Sequence, residues 1–132
     1  MAASPLARRR AIQSYADLGR KTYEGPGQPA ALVEVLLDAL SDNLCAARRA
    51  VLNGRAEQRA KPLTRACMII YGLYRSLDMR RSPTTAKRLA DIYRYLLARI
   101  NRINRKNGEQ VLSELIGLVN TLRSAWSASP LH

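Results

Sequence analysis

Apolar residues recur at intervals of three and four over four long stretches of this chain, with polar and charged residues filling the positions between them. That spacing is the signature of helices with one buried face. In the first stretch, Pro29 to Leu52, one row holds Leu32, Leu36, Leu40, Asn43 and Ala47. Val33, Leu37, Leu44 and Val51 widen it. A stripe so wide predicts burial on more than one side. Pro29 suits a first helical position, where its missing N–H costs nothing. Asn53-Gly54 reads as a stop.

The second stretch runs from about Arg55 to Met79 and places Leu63, Cys67, Ile70, Tyr74 and Leu77 on one face. Pro62 lies inside the pattern, so the helix either starts there or kinks there. Gly72 weakens this helix by up to ~1 kcal/mol against Ala, and leaves room for another backbone. Ser82-Pro83 reads as an N-cap followed by a first-turn proline. The third stretch continues to about Lys106 with Leu89, Ile92, Tyr93, Leu96, Ile100 and Ile103, and Asn107-Gly108 ends it. Arg105 and Lys106 then fall in the last turn, where the helix dipole favours cations. The fourth, about Glu109 to Trp126, carries Val111, Leu112, Leu115, Leu118, Val119, Leu122 and Trp126.

Four long helices with short connections predict an all-α antiparallel four-helix bundle. Before it, residues 1–10 read as a disordered arm. A short extra N-terminal helix or cap fits around Ile12 to Leu18, set off by the breaker Gly25-Pro26-Gly27-Gln28-Pro29. Residues 11–126 are then one domain, and 127–132 a frayed tail. A length of 132 residues agrees with one domain and one modest core. The absence of Phe leaves that core to Leu, Ile, Val, Ala, Met and the six Tyr.

Chemistry is sparse. The single histidine, His132, sits at the last position, which removes most acid–base, triad and metal-site readings. There is no glycine-rich phosphate loop. Glu34 and Asp38 are one helical turn apart but read as a solvated face. Cys45 and Cys67 fall at apolar helical positions without CxxC spacing, so they read as small core fillers in a reducing compartment. The expectation is a protein with no enzymatic activity and no cofactor. No apolar run reaches the length of a membrane span, and no secretory signal opens the chain. A cytoplasmic location is expected.

The formal net charge of +12 admits nucleic acid, an anionic membrane or an acidic protein as partner. On the third stretch, Arg88, Arg99, Arg102 and Lys106 share one side, and Lys87, Arg94 and Arg105 another. This could be a nucleic-acid helix. A solvated face around a buried stripe is the preferred reading, because no helix-turn-helix, aromatic RNA-binding pattern or zinc spacing accompanies the charge. Tyr93 and Tyr95 project about 200° apart and cannot share one stacking platform. At least one of them is expected to pack in the bundle with its hydroxyl at the rim.

Four sets of residues, in order, carry a resemblance. They are Ala11-Ile-Gln-Ser-Tyr15; Pro29-Ala-Ala-Leu-Val-Glu-Val-Leu-Leu-Asp38; Ser76-Leu77-Asp78; and Leu89…Tyr93-x-Tyr95…Asn104-x-Lys106-Asn107 followed by Val111…Leu122-Arg123-x-Ala125-Trp126. From Ala11 to Trp126 the chain resembles the flagellar secretion chaperones of the FliS family. It departs from the family pattern at Gln28, where Ser is usual, at Ala39 for Gly, at Leu37 for an aromatic, and at Ala98 for the first of an Arg pair. It is also more basic than many members.

The resemblance implies a bundle that binds the disordered C-terminal segment of flagellin in apolar grooves and prevents its premature polymerisation before type III export. In the family that segment wraps around the bundle, a helix-in-groove mode coupled to folding. Carried over, Ile12 and Tyr15 are the movable cap and client contacts. Leu32, Val35 and Leu36, with Tyr71, Tyr74, Ile92 and Tyr93, are the groove candidates, most of which serve equally well as core. Other flagellar proteins or export machinery are further candidate partners. Two alternatives stay open: a basic helical nucleic-acid-binding module, and a divergent paralogue serving another secreted client.

Overall fold

A computed structural model describes residues 30–80 and 83–127. The first helix, α1, spans Ala30–Leu52. A 3-10 turn, Ala56–Arg59, leads directly into α2, Ala60–Arg75. Helix α3 spans Pro83–Asn101 and α4 spans Gly108–Ser127. Each helix packs against its neighbours in sequence, and α1 also closes the ring against α4. The connections are too short to run back along helices about 24–35 Å long, so successive helices must alternate in direction. The pairing of α1 with α4 shows this directly. Asp38 meets Arg123 and Ser41 meets Asn120, the index rising by three on one helix as it falls by three on the other. Among the described residues the architecture is therefore the expected all-α antiparallel bundle. The expected arm and cap, and with them Ile12, Tyr15, Pro29 and Ser82, lie outside the described residues, as does the expected tail except Ser127, which ends α4.

The α1 stripe Val33, Leu37, Leu40, Leu44 and Ala47 is almost wholly buried. It meets Ile70 and Leu73 from α2, Leu89, Tyr93 and Leu96 from α3, and Leu112, Leu115 and Trp126 from α4. Burying each large side chain is worth roughly 1.5–3 kcal/mol. The Asp38–Arg123 pair (2.8 Å) is half exposed on one partner, and such pairs contribute about 0–1 kcal/mol. The core therefore supplies the stability, and the polar pairs set the register. In that register Trp126 lies level with the beginning of α1 and closes that end of the core.

Two helix ends follow the sequence closely. Helix α1 stops in a Schellman motif: the Arg55 N–H donates to Ala50 O (2.8 Å) and the Gly54 N–H to Val51 O (3.2 Å). Gly54 has φ +71°, a left-handed conformation in which any Cβ is strained. Pro62 is the third residue of α2, in the first turn, where a proline is tolerated. The helix starts two residues before the proline, with no kink required.

Two other ends depart from expectation. Helix α2 stops at Arg75, not Met79; Ser76 caps it by donating its hydroxyl to Gly72 O (2.7 Å). Helix α3 stops at Asn101, five residues before Lys106. Asn104 accepts the N–H groups of Lys106 and Asn107 on its side-chain oxygen (2.8 and 3.0 Å), and Asn107 accepts the N–H of Asn104 (2.7 Å). The Asn107 amide also donates to Arg102 O (3.0 Å). These local bonds compete with helix continuation, so Arg105 and Lys106 belong to a turn, not to a last helical turn. Asn107 offers its carbonyl to Val111 N–H (2.9 Å), and the buried Gly108 opens α4 instead of closing α3.

Two substitutions separate packing from propensity. Trp126→Ala removes a fully buried indole and should cost about 3–5 kcal/mol in a urea melt. A loss below about 1 kcal/mol would show that α4 frays at this end. A Cβ at Gly72 would meet nothing within 4 Å. Gly72→Ala should therefore stabilise the bundle by about 0.5–1 kcal/mol, the helix-propensity difference, read in the same melt.

Candidate functional site

The surface of a four-helix ring offers seams between adjacent helices, and the position of a residue on its helix decides which seam it lines. Asn43, Ala46 and Ala50 of α1 share a cleft with Gln58, Pro62 and Arg65, which marks the side of α1 that faces α2. Leu32, Val35, Leu36 and Ala39 continue that side toward the start of α1, at the same helical spacing. Leu36 is half-buried against the core. Leu32 is 44% exposed and Val35 60%. Across the seam Ile69 is half-buried, and Gly72 leaves open space.

Tyr71 and Tyr74 lie elsewhere. They share a side of α2 with Thr64 and Cys67, which line an open cleft of about 580 Å³ with Ile100 and Asn101 of α3. This is the α2–α3 seam. Arg94 of α3 donates to the Tyr74 hydroxyl (2.8 Å) and lies 5.3 Å from its ring centroid, a cation–π contact. Tyr71 remains half exposed. Burial pushes the Cys67 thiol above its ordinary range, so at neutral pH it is a thiol and a poor nucleophile.

Ile92 lies on a third seam. Its helical neighbours Tyr95 and Arg99 both reach Glu114 of α4, the first by donating its hydroxyl (2.5 Å) and the second as an ion pair (3.4 Å). Ile92 is half-buried there. Tyr93 is 0% exposed and belongs to the core, unavailable to a partner in this conformation. Tyr95 packs with its hydroxyl at the rim, the arrangement expected of one of the two tyrosines.

The structure thus spreads the groove candidates over three seams and the core. Periodicity could not separate them, because it marks the apolar face of a helix without saying which neighbour covers it. Sequence reasoning missed Met68, at 68% exposure the most open large apolar residue among those described. It lies one position off the α2 stripe, next to Cys67, and that offset was the available signal.

The seams also differ in polarity. Arg123 clasps Asp38 (2.8 Å) and Asn120 (3.0 Å), and Ser41 donates to Asn120 (3.1 Å), along the α1–α4 contact. Tyr95, Glu114 and Arg99 close the α3–α4 contact in the same manner. Near the start of α1, the side toward α2 exposes the apolar Leu32 and Val35. The basic face expected on α3 is partly neutralised, since Arg94 also pairs with Asp91 (3.1 Å) and Arg99 with Glu114. No group of metal-ligating side chains is found among the described residues, and no described helix is long and apolar enough to cross a membrane.

Comparison with known proteins brings this architecture into a family. The family described as "Flagellar protein FliS" matches residues 11–130. The chain is 28% identical to the flagellar secretion chaperone FliS of Salmonella typhimurium over 87% of its length and 86% of the relative's. It is 25% identical to that of Vibrio cholerae, covering 92% of this chain and 90% of the other. Against the flagellar secretion chaperone FliSB of Pseudomonas aeruginosa the identity is 26%, covering 89% and 93%. No solved structure matches significantly. With nearly its whole length matched, including all four helices, the chain belongs to the FliS family of flagellar proteins.

Proposed function

We propose that this protein is a cytoplasmic flagellar export chaperone that holds the C-terminal segment of flagellin before type III export. Membership of the FliS family and relatives named as flagellar secretion chaperones support the general role. The observation that carries the client site is the apolar, half-exposed seam at the start of α1. Leu32, Val35 and Leu36 line it beside the open space at Gly72. Monomeric proteins leave such residues open singly as a matter of course, but a contiguous apolar strip marks a binding surface.

The division of the candidates over several seams bears on how a client would lie. One straight helix cannot reach the α1–α2, α2–α3 and α3–α4 seams together. A segment that wraps around the bundle can place one helix on Leu32, Val35 and Leu36 and another near Tyr71 and Tyr74. Ile92 would lie farther around, and Tyr93 would support these sites from the core. Ile12 and Tyr15, which precede the first helix in sequence, are the candidate movable cap. A disordered client that orders on binding spends part of its contact energy on that ordering, which favours several shallow seams over one deep pocket.

Isothermal titration calorimetry with the C-terminal segment of flagellin from the same organism tests the proposal. Saturable binding at micromolar concentration or tighter is expected, and its absence would reject flagellin as the client. Val35→Glu places a charge on an exposed apolar position. It should weaken binding by about 1–3 kcal/mol, the scale of an interface anchor, with little change in melting temperature. Tyr15→Ala should do the same. A large fall in melting temperature for Tyr15→Ala would place it in the core instead.

A further inference from the structure

The far end of the α1–α2 seam has the opposite character. There an open cleft of about 360 Å³ is lined by Arg49, Arg55, Lys61 and Arg65. Three amides, Asn43, Asn53 and Gln58, stand among them over a floor of Ala46, Ala50 and Pro62. No carboxylate lines it. Elsewhere on the described surface Arg94, Arg99 and Arg123 each have an acidic partner. These four cations are all exposed.

Helix electrostatics does not account for the cluster. Arg49 lies in the last turn of α1, where the dipole welcomes a cation. Arg55, Lys61 and Arg65 lie outside the last turn of any helix, so no helix dipole supports them in the same way. Cations from both helices and from the connection between them therefore face one small space.

We propose that this cleft is a docking site for an acidic, carboxylate-rich segment of a protein partner, separate from the apolar client seam. Arginine forks pair with carboxylates two bonds at a time. The amides add neutral hydrogen bonds, and the alanine and proline floor fits the aliphatic stems of Glu side chains. The chain itself is a poor source for the occupant. Residues 1–29 carry Arg8, Arg9, Arg10, Arg20 and Lys21 against Asp17 and Glu24 only. An isologous contact with a second copy would set cations on cations. A nucleic acid fits less well, because no aromatic side chain lines the cleft to stack a base. A duplex is also convex and much wider than this space.

Fluorescence anisotropy with the full-length protein and a labelled poly-L-glutamate peptide tests the proposal, with a labelled DNA duplex and inorganic phosphate as comparisons. The peptide should bind saturably. Arg49→Glu combined with Arg65→Glu should weaken it at least ~10-fold, as expected for loss of two charge-assisted contacts. Lys87→Glu combined with Arg102→Glu, an equal charge change outside the cleft, should weaken it no more than ~3-fold. Thermal melts check folding, and Arg49→Gln with Arg65→Gln repeats the test without reversing charge. Equal losses from the two Glu pairs would overturn the proposal in favour of net charge alone. Tighter duplex binding that depends on Arg49 and Arg65 would overturn it in favour of nucleic acid. Displacement of the peptide by millimolar phosphate would reduce the cleft to a small-anion site.

Discussion

The buried stripe of α1 has to serve two neighbours at once. Val33, Leu37, Leu40, Leu44 and Ala47 face the core, and the flanks on either side of them face α4 and α2. Much of the molecule follows from how those flanks differ. Toward α4 the flank carries Asp38 and Ser41, which find Arg123 and Asn120 and fix the antiparallel register. Toward α2 it carries Leu32, Val35 and Leu36 at one end and Asn43, Ala46 and Ala50 at the other. The first flank is closed by polar pairs worth little in energy but specific in position. The second is lined by residues that find no such closure, and it is where both proposed surfaces fall.

The four helices were legible because apolar spacing is the same signal that drives burial. The start of α1 was placed within a residue of where the described helix begins, and Asn53-Gly54 ended it through a conformation that glycine tolerates best. The end of α3 was not legible. Asn107-Gly108 looks like the same stop, but Asn104 and Asn107 bond each other's backbone and end the helix earlier. Two Asn-Gly pairs thus do different work, and only the surrounding hydrogen bonds separate them. Site residues were legible as apolar and helical, and no further. Tyr93 and Ile92 are adjacent on one stripe, yet one is core and the other lines a seam. A residue's seam depends on helix rotation, which is set by packing of the whole ring and not by any one stretch.

The charge divides along similar lines. A total of +12 reads as one property of the chain, but the structure sorts the cations by their neighbours. Arg94, Arg99 and Arg123 are tied into contacts with acids and serve the bundle. Arg49, Arg55, Lys61 and Arg65 gather in one cleft without an acid. Cations that share so small a space repel one another, because physiological salt screens exposed charges only beyond about 8–10 Å. The cluster therefore does nothing to hold the bundle together, and none of its cations belongs to the apolar core. That independence allows the apolar seam and the cationic cleft, at opposite ends of one helix pair, to be altered separately. A protein that must hold a client and still be recognised by another component benefits from such separation, because a change that tunes one surface leaves the other intact.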